Sequence, residues 1–150
     1  MPRAYSPERE IGFALHDVSR MLRTLADQRA RELNMTRAQW SVLVKLQRCE
    51  GVNQSELADQ LDLAPITLAR LIDKLTAAGL VERRDDVQDR RANRLFLTEK
   101  AGPTLERLNR LGEALMGSAL AGVEPETLAS LRKGLERIRH NLKSELQAGV

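Results

Sequence analysis

The residues best suited to do chemistry lie in the middle of the chain, and the chemistry is recognition of an anionic polymer. The segment PITLARLIDKLTAAG, Pro65 to Gly79, places Pro65, Ile66, Thr67 and Arg70 in its first half and Lys74 one turn further on. A guanidinium forks onto a guanine edge or grips a phosphate. A threonine offers a methyl to thymine and a hydroxyl to phosphate, and a lysine is a point charge for phosphate or a solvated surface group. Downstream, DDVQDRRA carries Asp89, Arg90 and Arg91. Arginines at a protruding tip gain from the enhanced negative potential of a narrow minor groove, and Arg91 is the first choice for that role, with Arg90 second. Arg83, Arg84 and Arg94 flank the tip as backbone contacts or as surface charges. Asp85, Asp86 and Asp89 oppose phosphate, so Asp85 and Asp86 are expected to face away from any duplex.

These groups need elements to hold them. Leu68, Leu71, Ile72 and Leu75 recur at helical spacing, so Pro65 to Gly79 reads as a helix with that stripe inward. Pro65 suits a first helical position, and Ala64 before it offers no side-chain cap. The first amides of this helix are thus free for phosphate or for water. Asn53 with Glu56 marks the start of a shorter helix bearing Leu57, Ala58 and Leu61. LVERR (Leu80 to Arg84) and NRLFL (Asn93 to Leu97) read as two strands around the Arg-rich tip. A helix presented by a turn, with a basic hairpin beside it, is the layout of a winged helix-turn-helix. The helix enters a major groove and the hairpin reaches the adjacent minor groove.

Flanking elements are long. Ser6 and Pro7 open a helix to about Glu32 with Ile11, Leu15, Val18, Leu22 and Leu25 on one stripe. Thr36 and Gln39 form a capping box before a helix to about Arg48, with Trp40, Val44 and either Leu43 or Leu46 facing inward. Thr98 is expected to cap a helix to about Gly122, its first turn loosened by Pro103. The last helix starts near Pro125 and carries Leu128, Leu131, Leu135, Ile138, Leu142 and Leu146. The fold class is therefore mainly α with a small β-wing, about 36–98 being the DNA-reading lobe and about 7–32 and 99–147 the flanking helices. A small winged core does not cover all these apolar stripes. A second copy does, so a two-fold homodimer is expected, the rival being a monomeric helical bundle.

Composition sets bounds. In 150 residues, 42% are hydrophobic and only 3% aromatic, so leucine and alanine carry the packing. The net charge of +3 suits an anionic partner without demanding one. The first residues contain no apolar signal core, and no run is long and apolar enough to cross a bilayer, so a cytoplasmic protein is expected. One cysteine, Cys49, and two histidines exclude a disulfide framework and argue against a Cys/His metal cluster. Cys49 closes a helix and reads as a half-buried, inert thiol. No nucleophile elbow, phosphate loop or His-Glu-x-x-His motif occurs, so no enzyme, metal or cofactor is expected.

The stretches MTRAQWSVLVKL, NQSELADQLDL, TLARLIDKLTAAGLVERR and DRRANRLFLTEKAG resemble the MarR family, and within it the SlyA-like branch. The most specific piece is Asp89-x-Arg91 followed by Leu97-Thr98. The resemblance implies a homodimeric transcription regulator on a pseudopalindromic operator, a repressor released by a small anionic or phenolic ligand. It implies that Asp89 holds the Arg91 guanidinium in a salt bridge. It also places Thr36 and Trp40 where the ligand pocket opens, with His16, Arg20 and Arg23 as cationic partners for a carboxylate. The alternative is a winged-helix module that binds another protein and no DNA.

Overall fold

The computed structural model describes residues 5–149. The order is α1 (Pro7–Arg31), α2 (Arg37–Arg48), α3 (Gln54–Gln60), α4 (Pro65–Ala77), β1 (Val81–Asp85), β2 (Asn93–Leu97), α5 (Ala101–Ala119) and α6 (Pro125–Ala148). The chain divides into two compact units between Leu115 and Met116.

Local rules place most element starts. The Ser6 hydroxyl accepts the Arg9 amide ahead of Pro7. At α2 the capping box closes in both directions, Gln39 amide to Thr36 Oγ1 at 3.1 Å and Thr36 amide to Gln39 Oε1 at 2.9 Å. At α3 only half of the expected box forms: Asn53 Oδ1 accepts the Ser55 amide at 2.8 Å, and Glu56 is exposed. The Asn side chain reaches its own backbone two residues on, which satisfies the cap without a second side chain. Helix α4 ends in a Schellman motif. Gly79 adopts φ +75°, and the Leu80 amide returns to the Leu75 carbonyl at 2.9 Å.

The first unit is built on one core. Leu43, Leu46, Leu57, Leu68, Ile72, Leu75, Leu95 and Leu108 are fully enclosed, with Val42, Val81, Ala101 and Leu105 beside them. On α2 both Leu43 and Leu46 are buried, together with Val42, which the periodicity did not single out; Val44 and Trp40 are only half-buried. The helix is packed on two sides, so its inner face is wider than one stripe. Trp40 lies against α5, its ring 3.5 Å from where a Cβ on Gly112 would stand.

β1 and β2 pair antiparallel in the register Val81↔Leu97 to Asp85↔Asn93. Residues 51–53 extend this sheet: Gly51 donates to Leu95 at 2.8 Å, Leu95 donates to Val52 at 3.0 Å, and Asn53 bridges Arg94. Gly51 sits at φ +82° with the Phe96 ring against it, so a side chain there meets both strain and an aromatic wall. Strand β1 runs from Val81 to Asp85, one residue later than its composition suggested.

Thr98 does not cap α5. Its hydroxyl donates to the Gly79 carbonyl at 2.5 Å, tying the end of β2 to the turn after α4. Pro103 falls in the first turn of α5, where amides lack intrahelical partners, and the helix absorbs it. Helix α5 stops at Ala119, short of the expected end near Gly122.

In the second unit α6 starts at Pro125 as expected, and none of its residues is buried. Leu131, Leu135, Leu142 and Leu146 are all exposed along it. In the first unit α1 likewise exposes Ile11, Phe13, Leu15, Val18 and Met21. No helix among the described residues is long and apolar enough to cross a membrane.

Candidate nucleic-acid interface

Three elements of the first unit converge on one surface: the start of α4, the start of α3 and the tip of the β1–β2 hairpin. Pro65, Ile66, Thr67, Arg70 and Lys74 are all exposed on α4, while Leu68, Ile72 and Leu75 point into the core. Ile66 keeps 62% of its surface open beside Thr67 and Arg70. The Ala64 cap makes no side-chain bond, so the first amides of α4 are unclaimed by a neighbour, as its sequence required. Arg70 forms no ion pair among the described residues.

The structure brings helix and wing together. Pro65 and Arg91 line the same small notch, about 130 Å³, with Asn53, Gln54, Ser55, Ala92 and Asn93. Arg90 and Arg91 are exposed at the tip. The two predicted reading surfaces therefore meet at one notch instead of pointing apart.

The wing is held differently from the expectation for Asp89. No ion pair joins Asp89 to the Arg91 guanidinium; Asp89 Oδ1 accepts the Arg91 backbone amide at 2.9 Å. A short carboxylate two residues back reaches that amide more easily than a long side chain pointing outward, and the Arg91 guanidinium remains unpaired among the described residues.

The acid that matters structurally is Asp86. It is only 8% exposed, so it faces the hairpin interior, whereas Asp85 is exposed. Asp86 accepts the Gln88 amide at 2.9 Å and pairs with Arg94 Nε at 3.0 Å. Arg94 in turn donates to the Gly51 carbonyl at 3.0 Å. Arg94 is thus a strut between the hairpin and the loop before α3. Arg84, directly opposite Arg94, avoids like-charge contact by pairing with Glu82 and stacking 3.9 Å over the Phe96 ring.

The Asp86 carboxyl is held below the usual aspartate range, chiefly because the Gln88 amide donates to it; burial pushes the other way, and the Arg94 charge adds to the lowering. A folded value below the unfolded one gives stability that is complete above the unfolded pKa and lost as pH falls through the folded value. Protection of the Gln88 and Ala92 amides against hydrogen exchange, corrected for intrinsic rates, is therefore expected to fall below about pH 4. Asp86→Asn is expected to remove that dependence and to lower protection at neutral pH to the level the parent shows in acid. Unchanged protection in the variant would show that the strut does not hold the wing.

The residues assigned to a ligand pocket are scattered in their roles. Thr36 caps α2, Trp40 packs on α5, and His16 and Arg20 are exposed on α1, with Arg20 3.7 Å from Asp17. A separate cleft of about 450 Å³ is lined by Glu32, Leu33, Arg107, Arg110, Leu111 and Ala114. None of Thr36, Trp40, His16 and Arg20 lines it. Cys49 is half-buried, its Sγ donating to the Lys45 carbonyl at 3.1 Å. No group of three or more metal-ligating side chains occurs among the described residues.

Comparison with known proteins agrees with this arrangement. The sequence profile of the MarR family matches residues 35–92, which span α2 to the wing. An uncharacterized HTH-type transcriptional regulator of Bacillus subtilis (strain 168), YybA, is 31% identical over 137 residues, 91% of this chain and 89% of its own length. The solved structure of the transcriptional regulator SlyA superposes with a TM-score of 0.77 at 26% identity, over 94% of this chain and 96% of that one. A mutant MarR from E. coli complexed with operator DNA superposes with a TM-score of 0.75 at 25% identity, over 86% of this chain and 93% of that one. With its exposed helix start, its basic hairpin tip and these relatives across nearly its full length, the chain belongs to the MarR family of DNA-binding transcriptional regulators.

Proposed function

We propose that the protein is a cytoplasmic homodimer that binds a pseudopalindromic operator and represses transcription until a small anionic aromatic ligand releases it. Each copy lays the start of α4 in a major groove, with Arg70, Thr67 and Ile66 toward base edges. It sets Arg91, or Arg90 beside it, in the neighbouring minor groove. One observation carries this reading: Pro65 of the uncapped α4 and Arg91 of the wing line a single notch, which puts the two surfaces side by side as binding to one duplex requires. The MarR structure solved with operator DNA shares this fold.

Two further observations support the finer points. The open apolar side chains of α1 and of α6 suit burial against a second copy. The cleft at Arg107 and Arg110 joins two guanidinium groups to Leu33, Leu111 and Ala114, with the Glu32 carboxylate also on its wall and Arg110 3.5 Å from Glu106. That combination suits a planar ligand with one carboxylate or phenolate.

Selection of bound sequences from a random duplex pool, followed by a salt titration on the recovered duplex, tests the DNA reading. The expected result is a two-fold symmetric site whose affinity falls steeply with salt, ~10³-fold or more between 50 and 200 mM for six or more phosphate contacts. No duplex binding at low salt would leave the protein-interaction alternative instead. Arg91→Ala is expected to weaken binding and to make the salt slope shallower by about 1, with the dimer intact. A change of oligomeric state in that variant contradicts the wing assignment. Benzoate is the simplest probe of the cleft: it is expected to release the duplex from the parent protein and to fail with Arg107→Ala.

A further inference from the structure

Arg83 is the one wing cation whose fork is spent on both helices of the reading head. Its Nε donates to Gln54 Oε1 at 3.1 Å, at the first residue of α3. Its Nη2 donates to Asp73 Oδ1 at 2.7 Å and to the Ala69 carbonyl at 3.4 Å, one turn apart on α4. The side chain is 27% exposed, while Asp73 is largely open. A lysine cannot copy this, because the acceptors lie on two elements and need a planar fork.

The acceptors on α4 are informative. Ala69 precedes Arg70, and Asp73 precedes Lys74, so Arg83 grips the stretch of helix that carries the candidate base and phosphate contacts. The covalent link from α4 to β1 is the Ala78–Leu80 turn. Apolar contacts of Leu80, Val81 and Leu95 hold the base of the hairpin. Arg83 sits at the midpoint of β1, opposite Leu95 and beyond Leu80 and Val81 toward the tip.

We propose that Arg83 is a positioning residue for DNA recognition. It fixes the angle between α4 and the wing, so that one rigid head spans two adjacent grooves, and it does not itself touch the duplex. This rests on the DNA reading above. It departs from the sequence expectation that Arg83 is a backbone contact or a free surface charge.

The two roles make opposite predictions. If Arg83 grips phosphate, removing its acidic neighbour strengthens binding. If it is a bracket, removing that neighbour weakens binding. The experiment compares wild type, Arg83→Met, Arg83→Lys and Asp73→Asn by fluorescence anisotropy. The probes are the tightest duplex recovered by wild type from a random pool and a scrambled duplex of the same composition, over a range of salt. The expected result is a loss of roughly tenfold or more on the selected duplex for Arg83→Met. Affinity for the scrambled duplex should stay within about twofold, with the salt slope unchanged. Asp73→Asn should lose in the same direction, and Arg83→Lys should not rescue.

Equal loss on both duplexes with a slope shallower by about 0.9 overturns the proposal in favour of a phosphate contact. So does tighter binding by Asp73→Asn. If Arg83→Met unfolds, Asp73→Asn decides alone, since its side chain is mostly solvated. If wild type itself fails to distinguish the two duplexes, the DNA reading falls, and this inference with it.

Discussion

Glutamate at both Leu135 and Ile138 is expected to separate the two copies of the proposed homodimer and to abolish operator binding at the same time. Helix α6 runs for 24 residues without burying one of them within the chain, and Leu135 is 40% exposed. Leu131, Leu135, Ile138 and Leu142 recur at spacings of four, three and four, so they form one stripe along the helix. Helix propensity alone rarely sustains such an element; a covered apolar stripe does. In a two-fold interface each substitution appears twice, so four carboxylates enter an apolar stripe. Each carries a desolvation penalty of several kcal/mol. Dimer affinity should fall by at least ~100-fold, and light scattering at micromolar protein should report half the original mass. Operator binding follows, because two linked half-site contacts exceed one by about 10²–10⁴ through effective concentration alone. Far-ultraviolet dichroism separates dissociation from unfolding. Unchanged particle mass with unchanged helicity would remove α6 from the interface.

Arg70→Ala is expected to cost about 1–3 kcal/mol of operator affinity and to erase preference at one base position of each half-site. Arg70 is exposed on α4 with no ion pair of its own among the described residues, so truncation disturbs little within the fold. It lies on the solvent side of a helix whose Leu68, Ile72 and Leu75 are enclosed. A repeated selection with the variant gives the decisive readout. A degenerate position where wild type requires guanine marks a base contact. Uniform weakening with a shallower salt slope marks a phosphate contact. An unchanged site and unchanged affinity would refute both roles.

The sequence laid out the elements because their determinants are local. The Thr36–Gln39 box, Pro7, Pro65 and Pro125 act within one turn, and apolar periods of three and four are read directly along the chain. The inward stripe of α4, and hence its outward face with Arg70, followed from spacing alone. The existence of the hairpin followed from two strand-like runs and the polar tip between them, while β1 begins one residue later than its composition suggested.

What escaped the sequence involves partners far apart in it. Asp86 and Arg94 read as two surface charges until folding brings Arg94 onto Gly51, whose loop joins the sheet. Arg83 read as one more basic residue near the tip, because nothing local says that Gln54 and Asp73 arrive beside it. The cleft at Arg107 and Arg110 requires the end of α1 to meet α5. Residue types and spacing thus determined which side chains were available to read DNA. Tertiary packing decided which charges were committed to holding the head rigid and which, like Arg70 and Arg91, stayed unpaired among the described residues, because a guanidinium's role depends on the acceptors that folding places within its reach.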